Sequence, residues 1–566
     1  MRMHAVFLLT FLAAVCSRAG AVETLRLEMK THCFRCHGGG KGKPKGEVNL
    51  VDGFAAKPLG LARDLALLEA VIDALEGGDM PPEDEKQPTK RERERWTSEL
   101  KNALDAELAK QSVPTPVLMR RMNRFEYNNA ARDLFQLTRD PFALPERPAR
   151  DVGGYFKPAT GKMPDVVVVG NRAMGKSQFL GTGNTLPGVA AFPKDNRAEH
   201  GFDNRADHLS LSPALMESFF GLSYSIINSP EFPVRCGVWK PLFVPPAGTS
   251  RDQQRSESER RLRTFLRRAF RKDADAETVA RYHRRFLQRF DAGESFTDSM
   301  KATASAVLAS PRFLYIYSGA EQDAKSPAAA GGLSDFELAS RLSFFLWNSI
   351  PDEELLDLAS QGKLSDPATL GEQADRMMND PRIKNFCDSF ALQWLQLDQM
   401  VSATPDEGRY RSYYFGGATG KVYRVGMHMM LEPLLLFETV FVEDRPIMDL
   451  IDPDFTYRSD MLAGWHEQTK GAKGRRRNEV TAIRFHRTSL QDRRWGGVIT
   501  NAAVLTMTSS PLRTKPIKRG AWLATTIFND PPAPPPADVP EIEEDDEKLE
   551  AKGLTLRETL KQHITN

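Results

Sequence analysis

Cysteine is scarce in this chain, with five in 566 residues, so each one has to be explained by its own surroundings. Charge of one sign is missing too. Lysine and arginine number 77 against 75 aspartates and glutamates, a formal net charge of +2. The chain as a whole therefore advertises no acidic partner. Beyond the N-terminus no apolar run is long enough to read as a permanent transmembrane helix. No second Cys/His pair lies near the first, as a structural zinc site would need. At this length several domains are expected.

What is present is concentrated in Cys33-Phe34-Arg35-Cys36-His37. Two cysteines three apart followed at once by histidine form the attachment signature of a c-type haem. Two thiols add to the two haem vinyl groups, and the adjacent histidine becomes the proximal iron ligand. A thioredoxin-like dithiol also reads C-x-x-C, but it expects a preceding strand within a βαβ pattern. Here residues 24–30 read as a short amphipathic helix, and Gly38-Gly39-Gly40-Lys41 as a loop.

A low-spin cytochrome usually supplies a second axial ligand, commonly methionine. Met80 sits in Gly77-Gly78-Asp79-Met80-Pro81-Pro82, where two glycines and two prolines forbid a helix and predict a fixed extended loop. Met80 is the expected distal ligand; Met29, Met119 and His32 are the alternatives. Leu65, Leu67, Leu68, Val71, Ile72 and Leu75 predict a helix ahead of that loop. Trp96, Leu100 and Leu104 predict another, ending near Val113-Pro114. Lys41, Lys43 and Lys45 on one side, with Asp79, Glu83, Asp84 and Glu85 on the other, read as a charged rim for a redox partner or as solvated loops.

The N-terminus agrees with this chemistry. Arg2, the apolar run Ala5 to Val15 and Ala19-Gly20-Ala21 form a charged region, a short apolar region and a cleavage site. That is a signal peptide, and the chain is expected to be periplasmic or secreted. Ala13-Ala14-Val15 before Cys16 fits a lipobox poorly. With Cys33 and Cys36 on haem, Cys236 and Cys387 are left to pair in an oxidising compartment or to stay as buried thiols.

The expected fold class is mainly α: a small helical cytochrome c domain, then a larger, mostly helical multidomain body with long loops and minor β. Domains are placed at 1–21 (signal peptide), 22–113 (haem domain), 114–258, 259–330, 331–450, 451–530 and 531–566. Met122, Phe125, Tyr127, Ala130 and Leu134 fit a helix, and residues 140–210 read as loops with one strand at Val166–Val169. Residues 260–290 hold two basic helices whose arginine stems cover apolar surface; nucleic acid is not an expected partner. Ser334 to Glu337 is a capping box. Met427, His428, Met429 and Met430 read as helical core rather than a metal site. Residues 455–527 read as β-like and loop-rich, Pro531 to Pro536 as a stiff linker and Glu541 to Glu550 as an acidic solvated run.

Two further patterns bear on chemistry. Gly170 to Ser177 matches a phosphate loop, but the residues that follow predict no helix to meet the phosphates, so the match reads as coincidence. Glu199, His200, Asp203, Asn204, Asp207 and His208 crowd potential ligands and acid–base groups into a loop. Asx turns and a helix cap at Ser212-Pro213 explain most of this cluster without function.

With these residues in hand, the chain resembles the planctomycete-type cytochrome c family, which joins an N-terminal haem domain to several domains of unknown function. The resemblance rests on Cys33 to His37, Gly46 to Leu50 and Gly78 to Pro82. It continues through Arg121 to Asn129, Arg132 to Phe135, Gly201 to Asn204, Ser310 to Tyr315, Asp335 to Trp347, Phe455 to Arg458 and Thr514 to Gly520. It implies one covalent haem c, with Cys33, Cys36, His37 and Met80 as its binding residues and His37 and Met80 on the iron. Members commonly continue after a segment like Leu556 to Leu560 into a second C-x-x-C-H motif. Here the chain stops at Asn566, so it reads as truncated or as having lost a second redox site. The expected function is single-electron transfer to a redox partner protein. The alternatives are a haem-coupled oxidative or hydrolytic enzyme acting on a polysaccharide or other extracellular substrate, and a cell-surface scaffold.

Overall fold

The computed structural model describes residues 25, 27–38, 44–45, 48–51, 65–82, 84–111, 119–144, 153–170, 185–198, 201–317, 333–410, 413, 425–460, 462–463, 482–492, 494–532, 555 and 557–558. The segment expected to be a signal peptide, Lys41, Lys43, Glu83, Glu199, His200, the residues after Gly170 in the phosphate-loop match, the segment expected to be a proline linker and the acidic run lie outside them. The fold is mainly α, as expected, and divides into two compact units, residues 1–117 and 118–566.

The N-terminal unit is helical over 27–32, Leu65–Glu76 (α1) and Lys90–Gln111 (α2). In α1, Leu68, Ile72 and Leu75 fall on one face and are all buried, as the i, i+4, i+7 spacing requires. They pack in one apolar cluster with Met29, Phe34, Trp96 and Leu100. Helix α2 starts one turn earlier than its apolar residues suggest. Thr89 and Glu92 form the reciprocal cap: the Thr89 backbone N–H donates to Glu92 Oε2 at 2.7 Å and the Glu92 N–H to Thr89 Oγ1 at 3.3 Å.

The body opens with β1 (Arg120–Arg121) and α3 (Arg124–Phe135). Asn123 caps α3 in a capping box with Glu126, and Glu126 is also held by Arg120 in a bidentate pair at 2.7 Å. Strand β2 is Val166–Gly170. Helices α4 (Pro213–Asn228), α5 (Arg251–Phe270), α6 (Ala276–Asp291) and α7 (Phe296–Leu308) follow, then β3 (Tyr315–Ile316). Their apolar faces bury one cluster with Tyr127 and Phe135, in which aromatic rings pack edge-on and tilted. The Ser212 cap on α4 stands where expected; the two basic helices are present, but α5 begins at Arg251, ahead of the expected start at residue 260.

A second cluster is built on α8 (Asp335–Trp347), α9 (Glu353–Ser360), α10 (Pro367–Met378), α11 (Lys384–Trp394) and α12 (Gly426–Val442). The Ser334–Glu337 capping box on α8 is present. Helix α12 is the expected apolar core helix. Met427, Met429 and Met430 are buried, and His428 Nδ1 bonds Ser459 Oγ at 2.8 Å. Burial pushes His428 down to about 4, so it is neutral and structural at pH 7. Beside α12 lies a three-stranded antiparallel sheet in the order β2, β5 (Ala482–Ser489), β4 (Phe455–Ser459), with Val167 opposite Phe485 and Tyr457 opposite Arg487. Antiparallel pairing of β2 is not the parallel βαβ setting that a phosphate loop needs.

One expectation is corrected. Among the described residues of 455–527, strand ends at Ser489; Gly497–Thr500, Ala502–Met507 and α13 (Pro516–Thr526) are helical. Asn501 caps the second of these and Pro516 opens the third at the position where proline favours a helix start. Of the two readings left open for Cys236 and Cys387, the structure shows buried free thiols, one in each apolar cluster of the body.

Lys384 carries much of the electrostatics of the second cluster. Its Nζ donates to Asp388 Oδ1 at 2.6 Å and also to Glu438, while Tyr155 donates its hydroxyl to the other Glu438 oxygen at 3.0 Å. All three ionic groups are buried. Lys384→Met should leave two buried carboxylates uncompensated and cost about 3–5 kcal/mol. Urea denaturation of the two proteins measures this, and a loss below about 1 kcal/mol would show that the cluster is not charged as described.

Candidate functional site

The Cys33–His37 segment continues the helix over 27–32 as one tight turn. The Cys33 N–H donates to the Met29 carbonyl at 2.8 Å, and the His37 N–H to the Cys33 carbonyl at 3.0 Å. The chain then folds back on itself. Lys45 N–H donates to the Cys36 carbonyl and Leu50 N–H to the His37 carbonyl, both at 2.9 Å. Gly38 makes this reversal with φ +116°, and a Cβ there would stand 2.2 Å from Asn49 Oδ1. Only glycine fits on both counts. His37 is thus fixed by backbone on both sides.

The loop carrying Met80 is tied to this segment by side chains. Arg35 pairs with Glu85, and His32 Nδ1 lies 2.8 Å from the Lys86 carbonyl. Gln87 Nε2 donates to the carbonyls of Pro81 and Pro82 at 3.0 and 2.7 Å, which holds the loop from within. From α2, Arg93 Nη1 donates to the carbonyls of Met80 and Leu75 at 2.8 and 2.9 Å. The same guanidinium acts on Cys33, lowering a thiol that burial above all, and Cys36 beside it, push up to about 11. Arg93 is therefore close to both halves of the constellation. Sequence reasoning missed it, because a lone arginine on a charged helix gives no local signal.

The residues fit a covalently attached haem. Cys33 and Cys36 are free and only partly buried. His37 Nδ1 is buried with no hydrogen-bond partner among the described residues, an arrangement that is costly unless something else engages the ring. Met80 keeps 39% of its surface exposed, whereas the neighbouring Met29 is 1% exposed and sits in the apolar cluster. His32 is engaged by Lys86 and lies edge-on to Trp96 at 5.4 Å. Met119 belongs to the other unit. A redox dithiol needs a thiol brought down towards neutrality, and Cys33 is moved the other way. Of the proposed charged rim, Glu85 is engaged by Arg35 rather than free.

The loop around Asp203 is placed differently. Asp203 accepts from Asn123 Nδ2 at 2.8 Å, and its N–H donates to Gln393 Oε1 at 2.9 Å. It thereby ties the cap of α3 to α11. Asp207 is bound by Arg205, and the His208 N–H donates to the Arg205 carbonyl at 3.1 Å. No group of three metal-binding side chains occurs among the described residues. The cavity that Asp203 lines with Arg124 and Gln393 holds about 20 Å³, room for about one water rather than a substrate.

Burial first, then the Glu126 charge, raise Asp203 to about 6 against an ordinary 3.8. The folded state therefore favours the proton, and the stability contributed by this group is full at low pH and lost as pH rises towards 6. Asp203→Asn should remove that loss. The variant should gain on the wild type between pH 4 and 6 and hold the gain above it. Denaturation across pH 4–7.5 measures this, and a pH-independent difference would contradict the placement.

Four family models match the chain. They are PSD3, a protein of unknown function (DUF1587), over residues 180–229; PSD5 (DUF1595) over 257–317; PSD4 (DUF1592) over 333–467; and PSCyt3 (DUF1588) over 495–566. These are planctomycete cytochrome-like domain families, and all four matches fall in the body. No curated protein and no solved structure matches the chain.

Proposed function

We propose that this planctomycete cytochrome-like protein is an exported c-type cytochrome that carries one covalent haem and passes single electrons to a redox partner protein. The observation that carries the reading is the C-x-x-C-H turn tied to the Met80 loop through Arg35, His32 and Arg93. Cys33 and Cys36 would hold the haem through thioethers, and His37 and Met80 would bind its iron. When bound, the haem supplies reversible one-electron chemistry. The chain's own residues do the rest. The helix over 27–32 and the Gly38 reversal fix the direction of His37. Arg93 and Gln87 hold the Met80 backbone against α1 and α2, so the thioether is presented without a search. The apolar cluster of Phe34, Leu68 and Ile72 keeps water from one side of the site and lowers its dielectric. The export signal suits this chemistry, since haem of this kind is attached outside the cytoplasm.

A spectroelectrochemical titration of the mature protein tests the reading. It should give one reversible wave with a one-electron slope. Reduction of the haem by a saccharide with no protein donor present would instead favour the oxidative enzyme.

A further inference from the structure

The body contains a groove of about 610 Å³ between residues 399–410 with Tyr413 and the segment 505–519. This volume is within the range of ordinary ligand sites. Three cations line it, Arg513, Lys518 and Arg519, and no aspartate or glutamate stands among its lining residues. Lys518 and Arg519 make no ion pair with a carboxylate among the described residues. Lys518 Nζ donates to the Met507 carbonyl at 2.8 Å. Arg519 donates to Thr508 Oγ1 at 3.2 Å and Thr514 Oγ1 at 2.8 Å. Both side chains are thus held in place by neutral acceptors, with their charge uncompensated. Burial lowers both from their ordinary values, and the nearby Lys515 adds to the effect on Lys518. Such a pair is a preorganised site for an oxyanion.

The remaining lining adds a second chemistry. Tyr410 is 39% exposed, and its hydroxyl donates to the Leu512 carbonyl at 3.2 Å. Ser402, Thr404, Ser509 and Thr514 place hydroxyl oxygens along the walls, with those of Ser402 and Ser509 donating to the Gln399 and Leu505 carbonyls at 2.9 and 2.7 Å and left to accept. A flat amphipathic ring beside a row of hydroxyls is what a polyhydroxylated ring binds. Uncompensated cations beside that surface select a sugar bearing anionic groups.

We infer that this groove binds an anionic saccharide, its sulfate or carboxylate groups met by Lys518 and Arg519 and a sugar ring laid against Tyr410. The inference stands on the body alone and does not depend on the haem.

Calorimetry of the mature full-length protein tests it with three probes: a sulfated hexasaccharide, the uncharged parent hexasaccharide and inorganic sulfate. The sulfated hexasaccharide should bind, with an affinity that falls as salt is raised, and the other two should bind at least about tenfold more weakly. Lys518→Gln with Arg519→Gln should weaken it about tenfold or more. Because Arg519 also ties helices together, a second variant guards the result. Ser402→Glu with Thr404→Glu adds carboxylates at two exposed positions on the rim and should weaken binding comparably without unfolding the chain. No binding of the sulfated hexasaccharide, binding unchanged in Ser402→Glu with Thr404→Glu, or inorganic sulfate binding as tightly as the hexasaccharide would each overturn the proposal.

Discussion

Cys33→Ser together with Cys36→Ser should yield a protein with no covalently bound haem. In the proposed attachment two carbon–sulfur bonds hold the haem, and serine oxygen does not form the equivalent thioether. The turn itself should survive, because the Gly38 reversal and the hydrogen bonds from Lys45 and Leu50 come from backbone. Any haem that still associates through His37 should leave on denaturation. Haem-dependent peroxidase staining on a denaturing gel measures this: strong for the wild type, blank for the double variant. Staining that survives both substitutions would move the attachment elsewhere. The N-terminal unit should also unfold at lower temperature, since iron ligation and packing around the haem are made only in the folded state.

Met80→Ala should leave the haem attached and change its electronics. A thioether ligand favours ferrous iron, so its loss should lower the reduction potential by on the order of a tenth of a volt or more. The sulfur-to-iron band in the far red of the oxidised spectrum should vanish. Arg93→Gln should act in the same direction but less, because it leaves the sulfur and loosens only the backbone that presents it. A band that persists in Met80→Ala would assign the ligand to another residue. Equal spectra for Arg93→Gln and the wild type would show that Gln87 and the prolines alone set the loop.

The parts of the site that could be read from sequence are those whose chemistry is local. Covalent attachment needs two thiols and an imidazole at fixed spacing, so Cys33, Cys36 and His37 spell it in five consecutive residues. Met80 stood out because Gly77-Gly78 and Pro81-Pro82 forbid a helix around it. Arg93 did not stand out. Its role exists only because α2 returns to the loop after α1, and a charged helix offers many arginines as plausible as that one. In the body, capping and periodicity located α8 and α12 because Ser334 and Glu337, or an unbroken apolar run, act within one turn. The helices between 497 and 526 escaped because the threonines in them and the Ser509-Ser510-Pro511 run between them resemble turns. Their helical state is set by Asn501 and Pro516 and by packing against the second cluster, as Trp522 does. The groove beside α13 was equally hidden, since its cations and Tyr410 come from distant segments.

The central claim is that this chain holds one haem by covalent bonds. Its most direct test is the intact mass of the mature protein, produced with haem-attachment machinery, before and after acid-acetone extraction. The account predicts a mass heavier than the polypeptide by one haem, unchanged by extraction, with the added mass on the peptide containing Cys33 and Cys36. A mass equal to the bare polypeptide, or an added mass that extraction removes, would contradict it.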